Sequence, residues 1–185
     1  MHLSVRKLTM TGLLGGLSIA LGVIPGLGFI PAPTPAGSIT IMHLPTVLGG
    51  IVGGPAVGAL VGSIFGLISF LRAGSPMFAD PLVAILPRIL IGVAAGYTYR
   101  WLSRFGQTPA LAGAGLVGTL TNTTLVLGMG VLRGYLNAVA AWTTAALSAP
   151  VEAAFAVVVV VAVGAALGRA GFISRVPSST HGSAA

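Results

Sequence analysis

Two kinds of side chain are absent or scarce in this 185-residue sequence: cysteine is missing, and charged residues make up only 6% of the chain. Without cysteine, disulfide bonds, thiolate catalysis and cysteine-based metal sites are excluded. A soluble domain carries roughly 25% charged residues, so this chain cannot build the polar shell that water requires. Because 55% of its residues are hydrophobic, lipid is the expected solvent for most of its surface.

Negative charge is especially rare, with Asp80 and Glu152 set against nine lysines and arginines and a formal net charge of +7. In a soluble protein such a balance would suggest a nucleic-acid partner. Here the basic residues stand mostly at the ends of apolar segments, and no basic face with interleaved aromatic residues is present. The charge therefore indicates orientation in a membrane, and no nucleic-acid partner is expected.

The motifs of common enzyme classes are also missing from the sequence. It contains no HExxH, no Gly-x-Ser-x-Gly, no Walker A sequence and no pair of carboxylates on one predicted helix. We expect no catalytic residue, no metal site and no cofactor, and any ATP hydrolysis must come from other chains. Six spans without an evident internal repeat are also few for a conventional secondary transporter.

The apolar segments predict an all-α integral membrane protein with six transmembrane helices in a single compact bundle. A span needs ~20 residues, so residues 1–168 form one membrane domain and the polar tail, 169–185, is expected to be disordered. A proline-rich loop, 30–37, follows the first helix, and the connection 132–149 has room for a short interfacial helix. The predicted helices are Leu8 to Phe29, Ile39 to Val52, Pro55 to Leu71, Pro81 to Leu102, Pro109 to Val131 and Pro150 to Leu167.

Two other topologies fit the sequence less well than six spans. Fusing the second and third helices gives a helix of ~50 Å, too long for a hydrocarbon core of ~30 Å. It also divides the loop and tail cations evenly between the two sides, whereas six spans with both termini in the cytoplasm put six of eight inside, as the positive-inside rule prefers. A cleaved signal peptide is less compatible with the long first apolar stretch.

Small residues recur at four-residue spacing on two predicted helices. Gly12, Gly16 and Ala20 lie on the first, and a glycine stripe (Gly58, Gly62, Gly66) lies on the third. Such stripes let helices approach closely in lipid. Packing within this chain and docking to another membrane subunit are both consistent with the spacing.

Polar residues on four predicted helices are expected at the same depth, in the half of the bundle away from the termini. Ionisable groups inside spans are costly and usually face a cavity or a partner. We therefore predict a substrate pocket that opens outward, lined by Arg88, Asn122, Glu152, His43 and Asp80. The alternatives are an Arg88–Glu152 ion pair, an interfacial His43, and an Asp80 that caps the helix starting at Pro81.

Several runs of the sequence resemble the substrate-binding S components of energy-coupling factor (ECF) transporters, closest to the branch with pantothenate and cobalamin S components. The similarity covers most of the chain. It is carried by Met42-His-Leu-Pro45, by Gly53-Gly-Pro55 with the helix that follows, by Phe78-Ala-Asp-Pro-Leu-Val-Ala-Ile-Leu-Pro-Arg-Ile-Leu-Ile-Gly92, by Gly118-Thr-Leu-Thr-Asn122 and by Pro150-Val-Glu152.

The resemblance implies a six-helix subunit of a prokaryotic plasma membrane that binds a vitamin or related micronutrient. It also implies a membrane T component and two cytoplasmic ATPases as partners, with Gly12, Gly16 and Ala20 matching the family's docking stripe. Pantothenate is the first expected ligand, because Arg88 is able to hold a carboxylate by a bidentate pair. A stand-alone small permease or channel, and a structural membrane protein without ligand, are the rival interpretations.

Overall fold

The computed structural model describes residues 5–24, 26–31, 38–72 and 75–173, which form a bundle of helices. The 3₁₀ turns Pro76–Ala79 and Ser103–Phe105 and two short strands, β1 (Phe29–Pro31) and β2 (Ser38–Thr40), connect them. Because α4 and α5 follow one another as a single interrupted helix, the predicted all-α bundle of six helices is confirmed. The helices are α1 (Val5–Val23), α2 (Leu44–Gly53), α3 (Pro55–Arg72), α4 (Pro81–Ala84), α5 (Leu86–Leu102), α6 (Gln107–Leu132) and α7 (Ala138–Arg169).

Four helical segments of the described residues are long and apolar enough to cross a membrane: α3, α4 with α5 and the turn after it, α6, and α7. The helix α2 is apolar but has only ten residues. It is also the most deeply buried helix, with eight of its ten residues inside the bundle. Neighbouring helices, rather than lipid, therefore surround most of this short helix.

The connection between α1 and α2 differs from the prediction at both ends. The first helix ends at Val23 rather than Phe29, and the second begins at Leu44 rather than Ile39. Pro25 disfavours continuation of α1, and the strands pair antiparallel with Ile30 opposite Ile39. Most of the predicted proline-rich loop, residues 32–37, lies outside the described residues.

A proline also interrupts the predicted fourth helix, at the junction of α4 and α5. Pro87 has no N–H, so it cannot donate the helical hydrogen bond to the carbonyl four residues earlier, which belongs to Val83. The helix breaks at Ile85, and the N–H of Arg88 bonds the Ile85 carbonyl at 3.1 Å. The break leaves the Val83 carbonyl available to another donor.

The predicted long connection before Pro150 is wrong. Only residues 133–137 separate α6 from α7, and α7 runs without interruption through Pro150 for 32 residues. The Asn137 side chain caps its start, with Oδ1 accepting from the Ala140 N–H at 2.7 Å. A proline is tolerated inside a spanning helix where neighbouring helices satisfy the backbone group that it frees. Pro150 therefore does not need to begin a helix, and here it lies inside α7. At about 48 Å, α7 exceeds the hydrocarbon thickness.

The glycine stripe of α3 packs within the chain. A Cβ placed on Gly66 would lie 2.8 Å from Ile85 Cα, and one on Gly62 would lie 3.1 Å from Ile89 Cα. The absence of side chains therefore lets α3 meet the start of α5 backbone to backbone. This close contact holds Arg88, which follows Pro87 on α5, against the face of α3.

The two ends of the bundle are defined by contacts between distant parts of the chain. At one end the Arg6 guanidinium donates to the Phe172 carbonyl at 2.8 Å, which joins the start of α1 to the segment after α7. We call this the proximal end. At the opposite, distal end, Arg133 after α6 contacts Asp80 before α4 at 2.6 Å. The polar groups predicted to form a pocket lie toward the distal end.

Candidate functional site

A cavity of about 300 Å³ opens at the distal end between α3, α5, α6 and the residues before α2. Its size is at the lower end of the range of small-molecule sites, roughly 300–1,000 Å³. Two of the five predicted site residues, Arg88 and Asn122, lie on its wall. The lining residues are Thr40, Met42, Phe65, Ser69, Arg72, Ser75, Phe78, Arg88 and Asn122.

Arg88 is the most constrained cation of the cavity wall. Its side chain is 95% buried, and its guanidinium lies between two aromatic rings, 5.4 Å from the centroid of Phe65 and 5.0 Å from that of Phe78. Nη1 donates to the Val83 carbonyl at 2.8 Å, the acceptor that Pro87 leaves free, while Nε has no partner among the described residues. A guanidinium has five N–H groups, so this arrangement leaves donors for a ligand.

The charge of Arg88 is not neutralised within the described part of the chain. The whole sequence contains only two acidic residues. Asp80 pairs with Arg133 in the single ion pair found among the described residues, and Glu152 forms none. Arg88 and Glu152 therefore do not form the ion pair considered from the sequence. A buried charge without a partner is costly, and an anion in the cavity would offset that cost.

Asn122 supplies the second polar group of the wall, from the middle of α6. Its side chain is buried, and Oδ1 has no hydrogen-bond partner among the described residues. A buried acceptor left unpaired costs about 1–3 kcal/mol. A ligand N–H or O–H, or a water molecule, would remove that cost.

Glu152 lies beside the cavity rather than on its wall. The carboxylate is buried on α7 and accepts a hydrogen bond from the backbone N–H of Thr40 at 3.3 Å. Thr40 itself lines the cavity. Glu152 therefore holds the end of β2 in place.

Asp80 is a helix cap and one half of an ion pair, and it does not line the cavity. Oδ1 accepts from the Leu82 N–H at 3.0 Å, and Oδ2 accepts from Arg133 Nε at 2.6 Å. The hydrogen bond from Arg133 lowers the pKa of Asp80 below its ordinary value, so the carboxylate is charged at neutral pH. Asp80 is therefore the helix cap that the sequence offered as the alternative to a ligand contact.

His43 is buried away from the cavity wall, just before α2. Its Nε2 lies 3.0 Å from Thr119 Oγ1, and the Thr119 hydroxyl also donates to the Gly115 carbonyl at 3.0 Å. Which of the two ring nitrogens carries the proton decides whether Nε2 donates to Thr119 or accepts from it. His43 is a fully buried residue rather than an interfacial one.

A second cavity, of about 430 Å³ between α6 and the start of α7, is a different environment. Its wall is formed by alanine, glycine, aliphatic residues and Trp142, with only two threonine side chains. No charged residue lines it. The smaller cavity holds the charged and hydrogen-bonding groups, so we take that one as the candidate site.

The aromatic and hydroxyl groups of the wall were not predicted from the sequence. Phe65, Ser69 and Arg72 follow one another at spacings of four and three residues, which places them on one face of α3. That spacing was a usable signal. Phe78 had no such signal, because it stands in the 3₁₀ turn and reaches Arg88 only through the fold.

The small-residue stripe of α1 faces away from the bundle. Gly12 and Gly16 are exposed, and a Cβ on either would meet no atom within 4 Å. Ala20 is half-buried. The neighbouring Gly15 is buried and faces Ile64 of α3, so internal packing of α1 uses a different face from the stripe.

Proteins named as transporters are among the relatives of this chain. The chain is 33% identical over 129 residues to "Pantothenate transporter PanT" of Leuconostoc mesenteroides, covering 60% of this chain and 63% of the relative. It is 34% identical over 113 residues to "Pantothenic acid transporter PanT" of Lactococcus lactis subsp. cremoris, covering 48% and 54%. "Biotin transporter BioY" of Rhizobium etli is 35% identical over 112 residues, covering 57% and 60%.

The matched regions thus span between 54% and 63% of the length of these relatives. The sequence model described as "ECF transporter, substrate-specific component" matches residues 6–170, from the start of α1 to the residue after α7. This match covers nearly all of the described bundle and confirms the resemblance seen in the sequence. The chain belongs to the family of substrate-specific components of ECF transporters.

Proposed function

We propose that this chain captures a small carboxylate vitamin in the distal cavity for an ECF-type importer, with pantothenate as the first candidate. The observation that carries the proposal is the unpaired guanidinium of Arg88 in the cavity wall. A carboxylate would satisfy its charge and take up its free N–H donors in a bidentate pair. The names of the two PanT relatives support pantothenate.

The remaining wall fits the rest of such a ligand. Phe65, Phe78 and Met42 offer apolar surface, and Asn122 Oδ1 accepts a hydrogen bond from an amide N–H or a hydroxyl. Glu152, the third ligand contact predicted from the sequence, lies behind Thr40 and is proposed to shape the wall through its hydrogen bond with the Thr40 N–H. Biotin, which also carries a carboxylate, is the second candidate because of the BioY relative.

The sequence contains no Walker A motif, and an importer of this kind needs a source of energy. We propose that a membrane T component and two cytoplasmic ATPases supply it, as the family description implies. The exposed face of α1 with Gly12, Gly16 and Ala20 is the proposed docking surface. Its open glycines support close approach of a partner helix.

The test of the ligand begins with mass spectrometry of small molecules that co-purify with the protein in detergent. Titration then compares pantothenate with its neutral alcohol, pantothenol, and biotin with biotinamide. We expect Arg88→Ala to weaken carboxylate binding at least tenfold, equivalent to about 1.4 kcal/mol, and to leave binding of the neutral analogue nearly unchanged.

Arg104→Ala is the matched control for this experiment. Arg104 also lies over two aromatic rings, 4.8 Å from the centroid of Trp101 and 4.7 Å from that of Phe105, but it is exposed near the proximal end. Its removal should not change ligand affinity. Well-folded Arg88→Ala protein that binds both acids as tightly as the wild type would exclude Arg88 as the carboxylate contact.

A further inference from the structure

Arg88 is held in place by groups that lie outside the cavity. The first is the Val83 carbonyl, which accepts from Nη1 at 2.8 Å. This carbonyl is available only because Pro87, four residues later, has no N–H to donate. The guanidinium thus replaces the missing helical hydrogen bond and fixes its own orientation relative to α4.

The position of the Val83 carbonyl depends in turn on Asp80. The turn of α4 has only four residues, and Asp80 organises it by accepting from the N–H groups of Leu82 at 3.0 Å, Val83 at 3.1 Å and Ala84 at 2.9 Å. Asp80 therefore uses both its side chain and its carbonyl to hold this turn. A shift of Asp80 would move the acceptor to which Arg88 is bound.

A second connection between Asp80 and Arg88 runs through the aromatic wall. Phe78, which lies over the Arg88 guanidinium, belongs to the 3₁₀ turn that ends immediately before Asp80. The Asp80 N–H closes this turn by donating to the Met77 carbonyl at 3.4 Å. Asp80 thus stands at the junction of the two segments that hold Arg88 on either side.

Asp80 is itself anchored to the other side of the bundle. Arg133 Nε donates to Oδ2 at 2.6 Å, and the Tyr135 hydroxyl lies 3.5 Å from the same oxygen. Arg133 follows the last residue of α6, and its N–H bonds the Met129 carbonyl at 2.9 Å. The ion pair joins the α6–α7 turn to the short helix α4, and neither of its residues lines the cavity.

We propose that Asp80 and Arg133 are positioning residues that set the anion affinity of the distal cavity by fixing the Arg88 guanidinium. This inference rests on the proposed function for its ligand. It assigns to this distal ion pair a role in selectivity, because loosening the pair should weaken the carboxylate contact more than the apolar and amide contacts.

The test uses Arg133→Ala, Asp80→Asn and the conservative change Arg133→Lys. Asn is as good a helix cap as Asp, so Asp80→Asn removes the ion pair while keeping the α4 turn. We expect Arg133→Ala and Asp80→Asn to bind pantothenate three- to tenfold more weakly with a clearly smaller loss for pantothenol, and Arg133→Lys to recover most of the loss. In an Arg88→Ala background, Arg133→Ala should have no further effect.

A readout without ligand separates this proposal from the proposed function. Phenylglyoxal modifies accessible arginines, and peptide mass spectrometry reports its rate at Arg88. We expect modification of Arg88 to be several-fold faster in Arg133→Ala than in wild type, with Arg104→Ala as the unaffected control. Wild-type protein that binds neither acid would defeat the proposed function, while this labelling would still decide the positioning role.

Unchanged labelling of Arg88 in both pair variants would overturn the proposal. So would equal losses for pantothenate and pantothenol, because a general loss of stability does not distinguish a carboxylate from an alcohol. The same holds if Arg133→Ala weakens binding equally with and without Arg88, which would mean that the pair acts through other groups.

Discussion

At the scale of single residues, an unpaired buried acceptor distinguishes a binding site from a structural contact. Asn122 Oδ1 has no partner among the described residues, so the ligand-free protein bears the cost of its desolvation. Replacing both members of a hydrogen bond by apolar groups is often neutral, whereas losing one of them is costly. The isolated protein therefore gains little from this amide.

We accordingly predict that Asn122→Leu leaves the thermal stability of the ligand-free protein unchanged or higher and weakens ligand binding about tenfold. Thermal unfolding in detergent and titration with pantothenate measure the two effects. Thr124→Val on the same helix is the control, since the exposed Thr124 hydroxyl donates to the Leu120 carbonyl at 2.6 Å. A clear loss of stability in Asn122→Leu with full affinity would identify the amide as structural.

The sequence was informative about single residues where membrane burial makes a polar group costly. That reasoning identified Arg88 and Asn122, both on the cavity wall, from their depth in apolar helices. It could not show that Asp80 and Glu152 hold neighbouring segments in place without lining the cavity themselves. Capping of α4 and the contact with Thr40 depend on how distant segments meet, which periodicity does not encode.

At the scale of helices, α1 offers two small-residue faces with opposite environments. Gly15 faces Ile64 inside the bundle, whereas Gly16 is exposed and a Cβ there would meet nothing within 4 Å. The two glycines are adjacent in the sequence, so substitutions at them compare internal packing with external docking under nearly identical local conditions.

We predict that Gly15→Leu destabilises the isolated protein, by about 1–3 kcal/mol as is typical of overpacking, and that Gly16→Leu does not. Gly16→Leu should keep ligand binding in detergent and abolish uptake in cells that contain the partner subunits. Thermal unfolding, ligand titration and uptake of radiolabelled pantothenate measure the three properties. If Gly16→Leu transports normally, the exposed stripe is not the docking surface.

Helix ends were harder to predict than helices. Pro55 and Pro81 do begin helices, but Pro150 lies inside α7 and Pro87 breaks the predicted fourth helix. Proline disfavours helix interiors by removing one hydrogen bond, and in a bundle the lost bond is replaced by tertiary contacts. Arg88 provides such a contact at the Val83 carbonyl. The local sequence alone does not predict this contact.

At the scale of the whole molecule, charge is distributed unevenly between the two ends. The cavity, Asp80 and the turns that hold it lie at the distal end, with Arg72 and Arg133 as the cations of its loops. The proximal end carries more positive charge and no acidic residue among those described. Its exposed cations are Arg6, Lys7, Arg100, Arg104 and Arg169.

This asymmetry predicts the orientation of the protein in the membrane. Lysine and arginine are retained on the cytoplasmic side, so the proximal end and both termini should face the cytoplasm and the cavity should open outward. Such an orientation suits capture of a ligand from outside and energy supply by cytoplasmic partners. The opposite orientation would place the cavity on the side where the vitamin is delivered.

The absence of cysteine makes this prediction simple to test, because one introduced cysteine is the only thiol of the protein. We expect Ala138→Cys, exposed at the distal start of α7, to react with a membrane-impermeant maleimide in intact cells. Ser103→Cys, in the proximal turn after α5, should react only after permeabilisation, and Ser179→Cys in the tail should behave in the same way. Labelling of Ser103→Cys or Ser179→Cys from outside intact cells would contradict the six-span orientation. Five spans with a cytoplasmic N-terminus would reverse the expected labelling at all three positions, so the pattern expected here would exclude that topology.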